Sequence, residues 1–191
     1  MNPLTGATVN LVNAIDGNDV VTSLIRELER ACEIADILDD NSYGRTSEDE
    51  SSIGAHIRHN LEFVNELLNG IAERRVDYSA RRRDVRIELD RLYAIEQITF
   101  ACERLENLTV GVMASLVMVR SEVDCDVWHT SSVSREIEFL HSHTVHHYAL
   151  IAGRITDAGF VADAPFGVAP STLRYRESIE QERDSFAAAT G

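Results

Sequence analysis

Four stretches of roughly twenty residues carry apolar side chains at steps of three and four, and that spacing narrows what the chain can fold into. The first, from about Asp19 to Leu38, repeats Val20/Val21, Leu24/Ile25, Leu28, Ala31/Cys32, Ala35 and Leu38 along one broad stripe. A second runs from about Ile53 to Ile71 on Ile53, Ile57, Asn60/Leu61, Val64, Leu67/Leu68 and Ile71. The third, about Val85 to Leu108, carries Ile87, Leu89, Leu92, Ile95, Ile98, Ala101/Cys102 and Leu105. Ser131 or Ser132 can cap the fourth, which continues to about Asp157 ahead of the helix-stopping Gly159. A helix with one apolar stripe must bury it against another element. Four of them, joined by one or two long connections, predict an all-α four-helix bundle.

The intervening segments fit that plan. Asp39 to Gly44 is rich in turn-forming residues, and the acidic stretch from Ser47 to Ser52 offers N-caps for the second helix. Between Thr109 and Thr130, Val, Met and Gly dominate, which predicts a long irregular crossover or a short hairpin before the last helix. Ala164 to Tyr175 contains Pro165, Gly167 and Pro170 and reads as a loop. The expected division is one domain over 1–176 and a polar, then alanine-rich C-terminal tail over 177–191. Met1 to Gly17 has little periodicity and reads as an extended or partly helical arm.

Charge removes some partners. The net charge of −14 would repel nucleic acid and anionic membranes, so neither is expected. All 18 basic residues are Arg, which excludes a Lys Schiff base. Cys32, Cys102 and Cys125 have no framework spacing, and no secretory signal is visible, so reduced thiols and a cytoplasmic location are expected.

The seven histidines are not scattered. His143 and His147 are four apart on the fourth helix and can aim two imidazoles at one point. His56 and His59 sit on the first turns of the second helix, and either can supply a third ligand. Three neutral imidazoles suit zinc, nickel, iron or copper, with one or more positions left open for water or substrate. The histidines left over, His56, His141 and His146, read as supporting or exposed groups; Cys125 and His129, also four apart, lie in the irregular segment. Arg81, Arg82, Arg83 and Arg86 lie near a helix N-terminus and oppose its dipole, so they either clamp a substrate carboxylate or pair with surplus acidic side chains. Tyr148 either lines the site or fills the core. Glu136, on roughly the face of His143, is the best-placed carboxylate for acid–base work.

Four blocks carry a family resemblance: Ile53-Gly-Ala-His56-Ile-Arg-His59, Asp77-Tyr78-Ser-Ala-Arg81-Arg-Arg83-Asp84, Ser142-His143-Thr-Val-His146-His147-Tyr148, and Phe166-Gly-Val-Ala-Pro170-Ser-Thr-Leu-Arg-Tyr175. Together they resemble the DinB/YfiT-like family of metal-dependent enzymes, over roughly Asp19 to Arg176. The resemblance implies up-down-down-up connections and a metal held by one histidine from the second helix and two from the last: His59, His143 and His147. Characterised relatives include S-transferases acting with low-molecular-weight thiols and a maleylpyruvate isomerase, and many form homodimers. Two function classes are therefore expected. One is a metal-dependent enzyme that transfers a low-molecular-weight thiol to a small-molecule substrate, or activates water for hydrolysis, with Arg81, Arg83 and Tyr148 contacting substrate and Glu136 catalytic. The other is a non-catalytic, stress-associated dimer that binds a divalent metal.

Overall fold

The computed structural model describes residues 17–44, 51–159, 161 and 165–190. The N-terminal arm and residues 47–50 of the acidic stretch lie outside the described residues. The chain runs α1 (Gly17–Ile37), α2 (Asp40–Gly44), α3 (Ile53–Gly70), β1 (Arg75–Val76), a 3-10 turn (Tyr78–Ala80), α4 (Val85–Leu89), α5 (Arg91–Glu106), α6 (Val110–Met113), β2 (Leu116–Arg120), β3 (Trp128–Ser132), α7 (Val133–Asp157) and α8 (Pro170–Thr190). Among the described residues no helix is long and apolar enough to cross a membrane.

The long helices bury the stripes their sequences advertise. α1 packs against α5 and α7, and α3 against α7, α5 and α4. Leu24, Ile34, Leu61, Leu67, Ile98, Leu105, Ile137 and Ile151 are fully or almost fully buried in the shared core. Fully burying one such side chain contributes roughly 1.5–3 kcal/mol. Local chemistry sets the starts: Ser52 caps α3 by accepting from Ala55 N–H at 2.9 Å, and Ser132 caps α7 by accepting from Arg135 N–H at 3.2 Å. Gly159 leaves α7 with φ +93°, a conformation that costs glycine nothing. At the head of α3, a Cβ on Gly54 would lie 2.2 Å from the Glu88 carbonyl oxygen, so glycine is what lets α4 press against the histidine-bearing turn.

Three expectations need correction. The chain is predominantly helical but not all-α: β1, β2 and β3 form a small sheet in that order. β1 runs parallel to β2 (Arg75↔Met118), and β2 pairs antiparallel with β3 (Leu116↔Ser132, Met118↔Thr130, Arg120↔Trp128). Of the two expectations for this segment, an irregular crossover or a short hairpin, the hairpin is the one observed; β1 is too short to leave a period-two signal. The third helix is two helices, because Asp90 takes an extended conformation (φ −122°, ψ 95°), ends α4 and caps α5 by accepting from Tyr93 N–H at 3.0 Å. The segment read as a loop and then a tail is helical from Pro170 onward, so the 176/177 boundary falls inside α8. Pro170 suits a first helical turn, and the following Arg, Glu, Gln and Ala favour helix without making an apolar stripe.

Candidate metal centre

The packing of α3 on α7 brings the two histidine pairs together. His59, His143 and His147 each offer a ring nitrogen, and these lie within 4.8 Å of one another. Ring centroids are 5.0 Å apart for His59 and His143, 4.6 Å for His59 and His147, and 4.6 Å for His143 and His147. The i,i+4 spacing on α7 and one turn of α3 are sufficient to build this cluster. His56 stands outside the three-residue group, but its Nδ1 lies 2.8 Å from Nδ1 of His147.

Burial disfavours the charged form of all four rings. Burial, then the neighbouring His143, Arg81, His56 and Arg58, pushes His59 down to about 4. Burial, followed by the three surrounding imidazoles of His143, His59 and His56, takes His147 down to about 3. Burial also lowers His143 and His56, with His146 and Arg81 adding at His143 and Arg154 adding at His56. A neutral imidazole has a lone pair to give, so this environment favours ligation over proton storage.

The fit to a metal ion rests on one atom in particular. Nε2 of His143 is buried and has no hydrogen-bond partner. Such a nitrogen normally costs about 1–3 kcal/mol unless it is satisfied. A cation bound between the three rings would satisfy it. Asn60, the next residue after His59, is also buried with neither end of its amide bonded. Three imidazoles with no carboxylate among them suit a borderline transition metal better than calcium or magnesium.

An aromatic wall backs the cluster. Phe63, one turn after His59, stacks on His143 at 4.7 Å and on Tyr78 at 5.0 Å. Phe139, one turn before His143, lies 5.6 Å from both His143 and Tyr78. These aromatics were not singled out from the sequence, although the i,i+4 pairs His59/Phe63 and Phe139/His143 are a legible signal.

The other site candidates are distributed unevenly. Glu136 is buried behind the wall, where its carboxylate accepts from the Tyr78 hydroxyl at 2.8 Å and the Ser131 hydroxyl at 2.5 Å. It also lines a cavity of about 470 Å³ opened by the hairpin, together with Arg120, His129 and Phe139. Arg81 is near the histidines: its guanidinium packs 4.7 Å from the Phe63 ring centre and 3.6 Å from the Glu62 carboxylate. Buried Glu62 also pairs with Arg58 at 3.0 Å and accepts from Asp84 N–H at 3.0 Å, and so pins the Arg81 loop to α3. Arg83 is exposed on that loop. Tyr148 points away from the histidines, stacks on Phe166 at 4.9 Å and donates to the Glu27 carbonyl of α1. It is 1% exposed and belongs to the core.

Fold and cluster together define a predominantly helical chain with a three-histidine group compatible with metal binding. Among solved structures, the chain is similar to a DinB-like protein, YjoA, from Bacillus subtilis, with a TM-score of 0.57 over 75% of this chain and 94% of that one. Identity there is 16%, so the likeness establishes a DinB-like fold. No family model matches the chain. Among curated proteins, 104 residues are 29% identical to FK506-binding protein 5 of Rhizopus delemar; the match takes in 52% of this chain and 27% of that protein, about a quarter of its length.

Proposed function

We propose that this chain is a member of the DinB/YfiT-like family and acts as a metal-dependent enzyme in which His59, His143 and His147 hold a divalent transition metal (zinc, nickel or iron). In this reading α1, α3, α5 and α7 form the four-helix bundle with up-down-down-up connections. Residues 1–176 are the working domain, and the remainder of α8 is an extension. The protein is a cytoplasmic homodimer. The observation that carries the reading is the convergence of three imidazoles within 4.8 Å, one with a buried, unbonded Nε2.

When bound, the metal supplies Lewis acidity that lowers the pKa of a low-molecular-weight thiol or of water. The chain's residues supply the rest. Arg81 provides fixed positive charge one ring away from the cluster, where it can anchor a carboxylate of an anionic thiol. Phe63 and Phe139 exclude water from one side. Glu136 holds the Tyr78 hydroxyl and so keeps the wall in place. That is a positioning role, and no separate general base is needed once thiol acidity is lowered.

The direct test is consumption of low-molecular-weight thiols with a small electrophile by metal-loaded protein. Turnover should be lost in His147→Ala, and Arg81→Met should raise KM for anionic thiols about tenfold or more while leaving kcat within about threefold, since it removes ground-state binding. A fully metal-loaded protein that is inert with every thiol tried would rule out the transferase reading.

A further inference from the structure

A hydrogen-bond-length contact ties one member of the cluster, His147, to a histidine outside it, His56. Nδ1 of His56 and Nδ1 of His147 are 2.8 Å apart, a full hydrogen-bond distance between two atoms of the same kind. When two neutral imidazoles share a hydrogen bond at this distance, one of the two nitrogens carries the proton and the other offers a lone pair. If His56 donated, His147 would carry its proton on Nε2 and have no lone pair left for an ion. If His147 donates, its Nε2 is free. The ring contacts favour a fixed arrangement: His147 is flanked by His59 at 4.6 Å, His143 at 4.6 Å, His146 at 5.5 Å and His56 at 5.1 Å.

We propose that His56 is a positioning residue that accepts a hydrogen bond from Nδ1–H of His147 and thereby holds His147 in the tautomer whose Nε2 faces the metal. This rests on the metal-site reading above. The logic is that of any imidazole ligand, whose remote N–H needs an acceptor to set its tautomer and its orientation. Here that acceptor is another imidazole rather than a carboxylate or a carbonyl. The difference has a chemical consequence. A carboxylate partner would add a negative charge beside the metal, whereas neutral His56 adds none and leaves the site with the full charge of its ion.

His56 and His59 then have different jobs on adjacent turns of one helix. His59 belongs to the group of three; His56 acts through His147. This explains why the sequence offers two equally spaced candidates for one ligand.

Two readouts test the assignment. The first is the long-range proton–nitrogen correlation spectrum of the histidine rings in metal-free, ¹⁵N-labelled protein, with His147→Ala used for assignment. His147 should appear as the Nδ1–H tautomer, whereas free neutral histidine favours Nε2–H. His56→Ala should return it to Nε2–H, and His56→Asn, whose Oδ1 can stand in for the accepting nitrogen, should restore Nδ1–H. The second is zinc affinity by chelator competition. His56→Ala should keep one ion per chain and bind it roughly 10–100-fold more weakly, with His56→Asn recovering most of the loss. By contrast, His59→Ala should lose stoichiometric binding. An Nε2–H tautomer in the wild type would overturn the proposal, as would unchanged affinity in His56→Ala. Complete loss of the ion in His56→Ala would make His56 a ligand instead. Wild-type protein that binds no zinc while keeping the Nδ1–H tautomer would defeat the metal reading and the positioning role with it, leaving only the hydrogen bond.

Discussion

Along α1 and α5 lie two half-buried thiols, Cys32 and Cys102; along α3 and α7 lie the half-buried imidazoles of His56, His59, His143 and His147. Burial acts on both in the same way, by disfavouring the charged form. For the thiols that means upward shifts: desolvation, then the charge of Glu29, pushes Cys32 up to about 11, and desolvation pushes Cys102 up to about 12. A neutral thiol is a small hydrophobe and a poor nucleophile. For the imidazoles burial means downward shifts, to about 4 at His59 and about 3 at His147, and a neutral imidazole is a ligand. The same desolvation makes one helix pair inert and the other receptive. The polar loose ends differ accordingly, since the unbonded buried atoms include His143 Nε2 and both ends of Asn60 in the α3–α7 region and none on α1 or α5 among the described residues.

Two measurements probe this contrast. The larger effect should be in thiol reactivity. At pH 8, Cys32 and Cys102 should react with an alkylating agent on the order of a hundredfold more slowly than exposed Cys125, or slower still, through their small thiolate fraction. Rapid modification of either in native protein would show that the α1–α5 seam is not dry. A smaller effect should appear in the pH dependence of metal-free stability. Folding lowers the pKa of His59 and His147 below the unfolded value of about 6.5, so the unfolded chain takes up protons first as pH falls. The contribution of these rings is therefore fully present above about 6.5. It declines as pH drops toward about 4 for His59 and about 3 for His147. The melting temperature of wild type should fall more steeply below pH 6.5 than that of His59→Leu/His147→Leu. Parallel curves would mean that the rings are not desolvated.

The same contrast explains what could be read from the sequence. Helices α1, α3 and α7 were legible to within a residue or two because each has to hide one apolar face, and Ser52 and Ser132 mark two of their starts. The pairing of His143 with His147 was legible because helical spacing stacks side chains four apart; spacing left His56 and His59 open as the third member, and only the family resemblance pointed to His59. The break at Asp90 was not, because one extended residue leaves the apolar period on either side nearly in phase. Helix α8 escaped notice for the opposite reason: it has helix-favouring residues but no apolar stripe. Tyr148 follows His147 directly, and a single step along a helix turns a side chain by about 100°, enough to take it from the cluster into the core. Spacing places Phe63 and Phe139 beside their histidines, but the pairing of Glu62 with Arg81 and the contacts of Tyr78 with Phe63 and Phe139 join distant segments, which periodicity does not encode.

The most direct test of the central claim is elemental analysis of untagged protein, wild type beside His143→Ala. About one transition-metal ion per folded wild-type chain, and none in a variant that still folds, is the predicted result. Equal metal content in the two proteins, or none in either after reconstitution with zinc, nickel and iron, would contradict it.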